Sequence, residues 1–312
     1  MTSYPVDRFG LIRRGVALAA AFSDNQLAAA VKNGDLIRLV PGVAVENCTD
    51  FGGHEGAQKL HRLTAIAVVT SEYSTGRALP LSHASAATVL GVPLLKPDID
   101  RVHVTNGKHS GGAVLTHRHV HAAPVDDDEI VEVDGISVTS LERTAVDVAT
   151  TGDFAQALTA MDQALRAGAD RAVIDRILAS RRRKGIRVAR RALALADGAS
   201  ESVGESWSRA QMIEAGLPTP RLQHHFHCRT GSYRADFNWD ELLIGEFDGM
   251  VKYGRLRAPG QTVADAVIQE KLREDELRAL GAVVVRWTWP LLESGGLVEL
   301  LRPWLVKLEL AA

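Results

Sequence analysis

Asp236, Glu246 and Asp248 lie in a stretch otherwise rich in apolar and aromatic residues, YRADFNWDELLIGEFDGMVKYG, residues 233–254. Carboxylates are not buried in such company without partners, so a cation, a basic group or solvent must sit among them. Glu246 and Asp248 are two residues apart, which on a strand places both on one face. Asp236 reaches the same point from a neighbouring strand, and Glu205 can close the group from a preceding helix. Such donors suit Mg2+ or Mn2+, because Mg2+ binds through one or two carboxylates and keeps several waters. Bound there, the ion would make water nucleophilic and neutralise developing negative charge. The competing reading is a buried salt-bridge network in which Arg234, Lys271 and Arg273 neutralise the acids.

The elements that must position these residues are legible in the surrounding pattern. SESVGESWSRAQMIEAGL reads as a helix stopped at Gly216 and Pro218, followed by three strands, RLQHHFHC, YRADFNW and LLIGEFDG. A long amphipathic helix, TVADAVIQEKLREDELRALG, a strand, AVVVRWTW, and a closing helix, GGLVELLRPWLVKLEL, complete an α-β-β-β-α-β order. At the other end, PVDRFGLIRRGVALAAAF has apolar residues at helical spacing, broken by Gly10 and Gly15. Ser23 with Gln26 forms a capping box for a second helix running to Lys32, which Asn33-Gly34 stops. DLIRLV and VAVE are short strands around a Pro-Gly turn. Helix, turn, helix and hairpin is the order of a winged helix-turn-helix. Between the two ends, residues 54–150 mix helices with strands, Asp134-Gly135 marking a hairpin turn. Residues 153–197 are Ala-rich and helical, and SRRRKGIRVARRALALAD carries seven Lys/Arg against one Asp.

Composition bounds the rest. The 312 residues, 46% hydrophobic and 24% charged, have a net charge of −2. That length fits two or three globular domains, and the charge gives no global bias toward nucleic acid or membrane. Two cysteines, Cys48 and Cys228, form no disulfide framework. There is no signal-peptide pattern at the start and no apolar run long enough to span a bilayer. A cytoplasmic protein is the expectation.

Two resemblances sharpen this reading. The residues GLIRRGVALAAAFSDNQLAAAVKNGDLIRLVPGVAV, then LSHASAATVLGVPLL, VHVTN and VDGISVTSLERTAVDVA, resemble AbiEi-type antitoxins over residues 8 to about 150. The resemblance implies a winged helix that binds double-stranded DNA at the operator of its own operon, and a nucleotidyltransferase-like toxin as partner. The helix from Ser23 to Lys32 would enter the major groove, with Ser23, Asn25 and Gln26 at base edges or phosphates. Lys32 and Arg38 would contact the backbone, supported by Arg13 and Arg14. Only five basic and three acidic residues occur up to position 45, a thin electrostatic footprint. Arg183, Arg187, Arg190 and Arg191 share a helix face and offer either a phosphate-tracking surface or a solvated one.

The second resemblance covers roughly residues 200–290, where Glu205, Arg234-Ala-Asp236-Phe237, Glu246-Phe-Asp248-Gly249, Lys271/Arg273 and Gly281 to Arg286 occur in order. This is similar to the very-short-patch-repair-like branch of the PD-(D/E)xK nucleases. It implies Asp236, Glu246, Asp248 and Glu205 as metal ligands, with a lysine stabilising charge. Asp248 stands where the superfamily usually has that lysine, so Lys252 or Lys271 would have to supply it. The alternative is a non-enzymatic antitoxin and autorepressor whose nuclease-like domain is inactive. The resulting organisation is α+β and multidomain: a winged helix over 1–50, a mixed α/β middle domain over 51–150, a basic helical connector over 151–198 and a restriction-endonuclease-like domain over 199–312.

Three weaker signals are expected to be structural. His117, His119 and His121 alternate on one strand face and read as solvated rather than as zinc ligands. His225 and His227 read as packed or exposed. Ser82 and Ser140 read as helix caps, and Arg143 with Asp147 as an i,i+4 pair.

Overall fold

The computed structural model describes residues 3–71, 79–180, 184–228, 231–249, 276–277 and 281–311. The chain is α+β and divides into two compact units, one of residues 1–148 and 172–180, the other of residues 149–171 and 181–312. Among the described residues no helix is long and apolar enough to cross a membrane.

The first unit begins with a two-residue strand, β1 (Ile12–Arg13), and helices α1 (Arg14–Ala19) and α2 (Asp24–Asn33), followed by the hairpin β2 (Leu36–Val40) and β3 (Val43–Glu46). Strand order is β1-β3-β2. The segment before α1 departs from the helix that its spacing predicts. The Asp7 carboxylate accepts the backbone N–H groups of Phe9 and Leu11, and Gly10 takes φ +79°. Those local bonds compete with helix formation and release Ile12 and Arg13 to pair with β3. The α2 boundaries are as read: Ser23 and Gln26 form the capping box, and Gly34 ends the helix at φ +83°.

The same unit continues with α3 (Gly53–Thr70), α4 (His83–Leu90), strands β4 (Val102–Gly107), β5 (Ala113–Val114), β6 (Arg118–Pro124), β7 (Ile130–Val133) and β8 (Ile136–Thr139), and α5 (Leu141–Thr151). The run read as one strand over AVLTHRHVHA is two, β5 and β6, joined by a turn. Strand β6 lies between β5 and a parallel β4. Leu81 bridges both Val104 of β4 and Val138 of β8. The β7–β8 turn is the Asp134-Gly135 pair, both at positive φ (52° and 75°), the requirement of a type I′ turn. Leu11, Val40 and Val43 share one core with Ile66, Leu81, Val102, Val104 and Val138, so the N-terminal elements are packed onto the α3–α4 layer.

The same unit holds a buried charged cluster. Arg143 is fully buried. Its guanidinium pairs with Glu129, donates to Asp147 Oδ1 at 2.9 Å and donates to the Pro124 carbonyl at 2.8 Å. The expected Arg143–Asp147 pair is therefore present, and Ser140 accepts the Arg143 N–H as a cap. Ser82 differs from expectation. It occupies the N-cap position of α4, but no side-chain capping bond forms; its hydroxyl lies 3.0 Å from His83 Nδ1.

Residues 151–198, read as one connector, contribute α6 (Phe154–Arg166) and α8 (Ile186–Leu195) to the second unit and most of α7 (Arg171–Ser180) to the first. In the second unit α6 packs on α8 and on α9 (Val203–Glu214). Arg209 of α9 donates to buried Asp162 of α6 at 2.5 Å. Strands β9 (Arg221–Cys228), β10 (Gly231–Trp239), β11 (Leu243–Asp248) and β12 (Val283–Thr288) form a sheet in the order β12-β11-β10-β9. Strands β9, β10 and β11 are antiparallel neighbours, and β11 and β12 are parallel. Two further helices follow, α10 (Trp289–Ser294) and α11 (Leu297–Lys307). The helix expected over TVADAVIQEKLREDELRALG lies, apart from Glu276, Leu277 and Gly281, outside the described residues.

Gly204 permits the approach of α9 to this sheet. A Cβ there would lie 2.0 Å from the Phe247 ring, and Phe247 is buried in the core. Gly204→Ala is expected to destabilise the second unit by about 1–3 kcal/mol through overpacking, measured as a lower denaturation midpoint. An unchanged midpoint would show that the ring has room to move.

Candidate functional site

The carboxylates singled out in the sequence come from α9, β10 and β11, and Asp236 is close enough to Glu205 to act on its charge. Asp236 and Glu246 come from adjacent strands. The observed pairing of Phe237 with Gly245, continued by one residue, sets Asp236 opposite Glu246. Asp236 Oδ2 accepts the Phe247 backbone N–H at 3.0 Å. Glu205, in the first turn of α9, is buried. Its carboxylate accepts from the Glu201 N–H (2.8 Å), the Ser202 hydroxyl (2.8 Å) and the Gln223 amide (2.9 Å). Burial, and then the charge of Asp236, raise the Glu205 pKa to about 7. Asp248 is half-buried at the end of β11, level with Thr288, and Glu246 is level with Arg286 of β12.

Gln223 marks a local distortion. It takes φ +52° inside β9, a conformation that non-glycine residues adopt at a cost and that recurs at functional sites. Asp236 stands opposite it, between the Ala235–His224 and Phe237–Leu222 pairs. Tyr233 and Ala235 pack with Phe226 and Ile244, whereas Phe237 and Trp239 pack with Met212 and Trp287. The side on which the strand buries its apolar residues thus changes at Asp236. Period-two alternation puts Tyr233, Ala235, Phe237 and Trp239 on one face and so carries no sign of this change.

The arrangement bears on the competing salt-bridge reading. Arg234 pairs with Glu201 at 2.7 Å, not with the strand acids. Lys252, Lys271 and Arg273 lie outside the described residues. Among the described residues the four acids do not supply three ligand atoms within 4.8 Å of one another. Mg2+ binds through as few as one or two carboxylates, so the donor types of Asp236 and Glu246 are those such an ion takes.

The candidate DNA-contacting residues separate into two sets. Ser23, Asn25, Gln26, Lys32 and Arg38 are exposed. Asn25, Ala28, Ala29 and Lys32 fall on one exposed face of α2, where the two alanines would allow close approach to a groove. Gln26 Oε1 accepts the Ser23 N–H at 2.7 Å, so a bidentate base contact by Gln26 would have to break the cap. Arg14 forms two bonds to Asp24, 2.7 and 2.6 Å, and Arg13 is tied to Asp7 and Thr70. Both arginines organise the fold around α1. In the second unit Arg187, Arg190 and Arg191 are exposed on α8, with Arg191 4.1 Å from the Phe154 ring centre. Arg183 lies outside the described residues.

A histidine group that the sequence reading did not assemble lies in the first unit. His117 is exposed and precedes β6. The solvated-face expectation fails for its neighbours. His119 and His121 are half-buried and stacked, ring centres 3.9 Å apart, and His121 also stacks on His83 at 3.8 Å. His103 Nδ1 lies 2.8 Å from His121 Nε2. Burial pushes the His103 pKa down and that of His121 to about 2. Burial likewise lowers His61, whose Nε2 meets the Ser85 hydroxyl at 2.9 Å, to about 4. The alternation of residues 117, 119 and 121 was visible in the sequence; the partners from α4 and β4 were too distant in the chain to be found by spacing. In the other histidine strand, His225 and His227 are exposed, as expected.

Comparison with known proteins covers part of this picture. Residues 82–197 match the AbiEi antitoxin C-terminal domain. That span opens at the Ser82-His83 turn and contains the histidine group, the Arg143 network and α6–α8. Two proteins of Mycobacterium tuberculosis described as uncharacterized, one from strain CDC 1551 / Oshkosh and one from strain ATCC 25618 / H37Rv, are each 30% identical to this chain over 269 residues, which is 80% of this chain and 92% of the relative. The chain belongs to the family of these mycobacterial proteins and carries an AbiEi antitoxin C-terminal domain over residues 82–197.

Proposed function

We propose that the chain is an AbiEi-type DNA-binding protein whose second unit hydrolyses DNA phosphodiesters with Mg2+ or Mn2+. The observation that carries the nuclease part is Glu205, buried and raised to about 7 beside Asp236, next to Glu246 on the adjoining strand. Asp236 and Glu246 would hold the ion, with Asp248 and Glu205 assisting. When bound, the ion would activate water and neutralise phosphate charge. Glu205 itself can hold or release a proton near neutral pH, and its bonds to Ser202 and Gln223 fix the carboxylate that does so. Lys271 or Lys252 would balance charge developing on the phosphate. Arg187 and Arg190, with Arg183, would track the backbone. In the first unit Asn25, Lys32 and Arg38 would contact DNA.

Two features favour a second reading. Asp248 stands where a lysine is usual, and the described acids form no three-carboxylate group. A non-cleaving autorepressor paired with a nucleotidyltransferase-like toxin accounts for both. Incubating supercoiled plasmid with the wild-type chain and Mg2+ or Mn2+ separates the readings. Cleavage that falls by at least about 100-fold in Asp236→Ala, the upper end of what removing a partner beyond the metal ligands costs, supports the nuclease. Binding to its own operon's upstream DNA, weakened by Asn25→Ala with Lys32→Ala, without carboxylate-dependent cleavage, leaves the repressor.

A further inference from the structure

We propose that the first unit holds a divalent transition-metal ion, Zn2+ or a similar imidazole-binding metal, on His83, His103 and His121. Each of these side chains offers one ring nitrogen, and the three nitrogens lie within 4.8 Å of one another. They come from three different elements: the start of α4, β4 and β6. Among the described residues this is the one group of three His, Cys, Asp or Glu side chains so placed.

Its chemistry selects the metal. An all-imidazole set suits Zn2+, Cu2+ or Ni2+, whereas Mg2+ and Ca2+ prefer oxygen. Zn–N distances of about 2.0–2.1 Å place tetrahedral ligands roughly 3.3 Å apart. The His103–His121 pair, at 2.8 Å, would open by about half an ångström to reach that spacing.

The surroundings are built to hold the rings. The Ser82 hydroxyl lies 3.0 Å from His83 Nδ1, and the Ser85 hydroxyl accepts the His103 backbone N–H at 2.8 Å. His119 backs His121 by stacking. Asp147 Oδ2, 4.0 Å from His83 Nδ1, adds negative charge beside the cluster, its other oxygen being engaged by Arg143. Anionic partners behind histidine ligands are common at zinc centres. His83 itself adopts φ +51°, an unfavourable backbone conformation for a non-glycine residue, which the cluster would help to justify.

This site is independent of the carboxylates in the second unit, and the test keeps them apart. The full-length chain, stripped of metal and held in excess Mg2+ to occupy oxygen-donor sites, is titrated with Zn2+ by calorimetry and with Co2+ by visible absorption. One equivalent of zinc per chain is expected, with the intense cobalt spectrum of a tetrahedral nitrogen-rich site. The half-buried His121→Gln should weaken zinc binding by about 100-fold or more, while the exposed His117→Gln should leave it unchanged. Folding of each variant is checked by circular dichroism. If His121→Gln fails to fold, the wild-type cobalt spectrum decides: a weak, octahedral-type spectrum overturns the proposal. Zinc binding below one equivalent, or retained in folded His121→Gln, overturns it too.

Discussion

Arg143→Met is expected to unfold the first unit at a markedly lower temperature than wild type. The substitution removes the fully buried guanidinium that joins Glu129, Asp147 and the Pro124 carbonyl. Methionine fills part of the volume but leaves two carboxylates in the interior without their cation. Removing one partner of a buried ion pair typically destabilises by about 3–5 kcal/mol. For a unit of this size that lowers the unfolding temperature by on the order of 10 °C. Differential scanning calorimetry of full-length protein checks it. The triple change Arg143→Met, Glu129→Gln, Asp147→Asn should recover part of the loss, because an uncharged trio leaves no charge to desolvate. A single variant as stable as wild type would mean that the two carboxylates find another cation or take up protons at little expense.

The stability of the second unit should fall as pH rises from about 5 to 8 in the absence of divalent ions. Glu205 is raised in the folded chain to about 7 from its ordinary value of 4.5, by burial first and by Asp236 second. A carboxyl raised on folding binds more protons in the native state than in the unfolded one. Its contribution is therefore fully present below about 4.5 and is lost as pH climbs through about 7. At 1.36 kcal/mol per pH unit, the loss is on the order of 3 kcal/mol. Glu205→Gln should flatten the profile, although the amide satisfies the donors from Glu201, Ser202 and Gln223 less well. A divalent ion at Asp236 and Glu246 should flatten it as well, by favouring the ionised acid. Urea midpoints across this range, with and without Mg2+, read both effects. A profile that is flat without metal contradicts the buried-acid picture. One that stays sloped under Mg2+ while Glu205→Gln is flat argues against the cation alone.

Much of the local architecture was legible in the chain, because short-range physics writes it there. Ser23 with Gln26, Asn33-Gly34 and Asp134-Gly135 each satisfy or release backbone groups within a few residues, so their boundaries follow from spacing. The three strands around Asp236 and Glu246 were equally readable from their apolar runs. Where the reading failed, the deciding interaction was longer-range or unexpectedly local. Asp7 drew residues 12–13 out of a helix by capping Phe9 and Leu11. Ser82 turned from its own helix to His83. The avoided period of two at Asp236 needs Gln223, thirteen residues earlier, in a left-handed conformation.

The sequence by itself determined the helix caps, the hairpin turn, the apolar faces and the acidic strand positions. It also carried the likeness to the AbiEi antitoxin domain now matched over residues 82–197. Tertiary structure alone decided which charges neutralise one another and which rings meet. Arg143 finds Glu129 fourteen residues away, Glu205 of α9 feels Asp236 of β10, and His83, His103 and His121 converge from three elements. Spacing encodes a face on one helix or strand; it does not encode the distance between faces, and electrostatics and metal affinity depend on that distance.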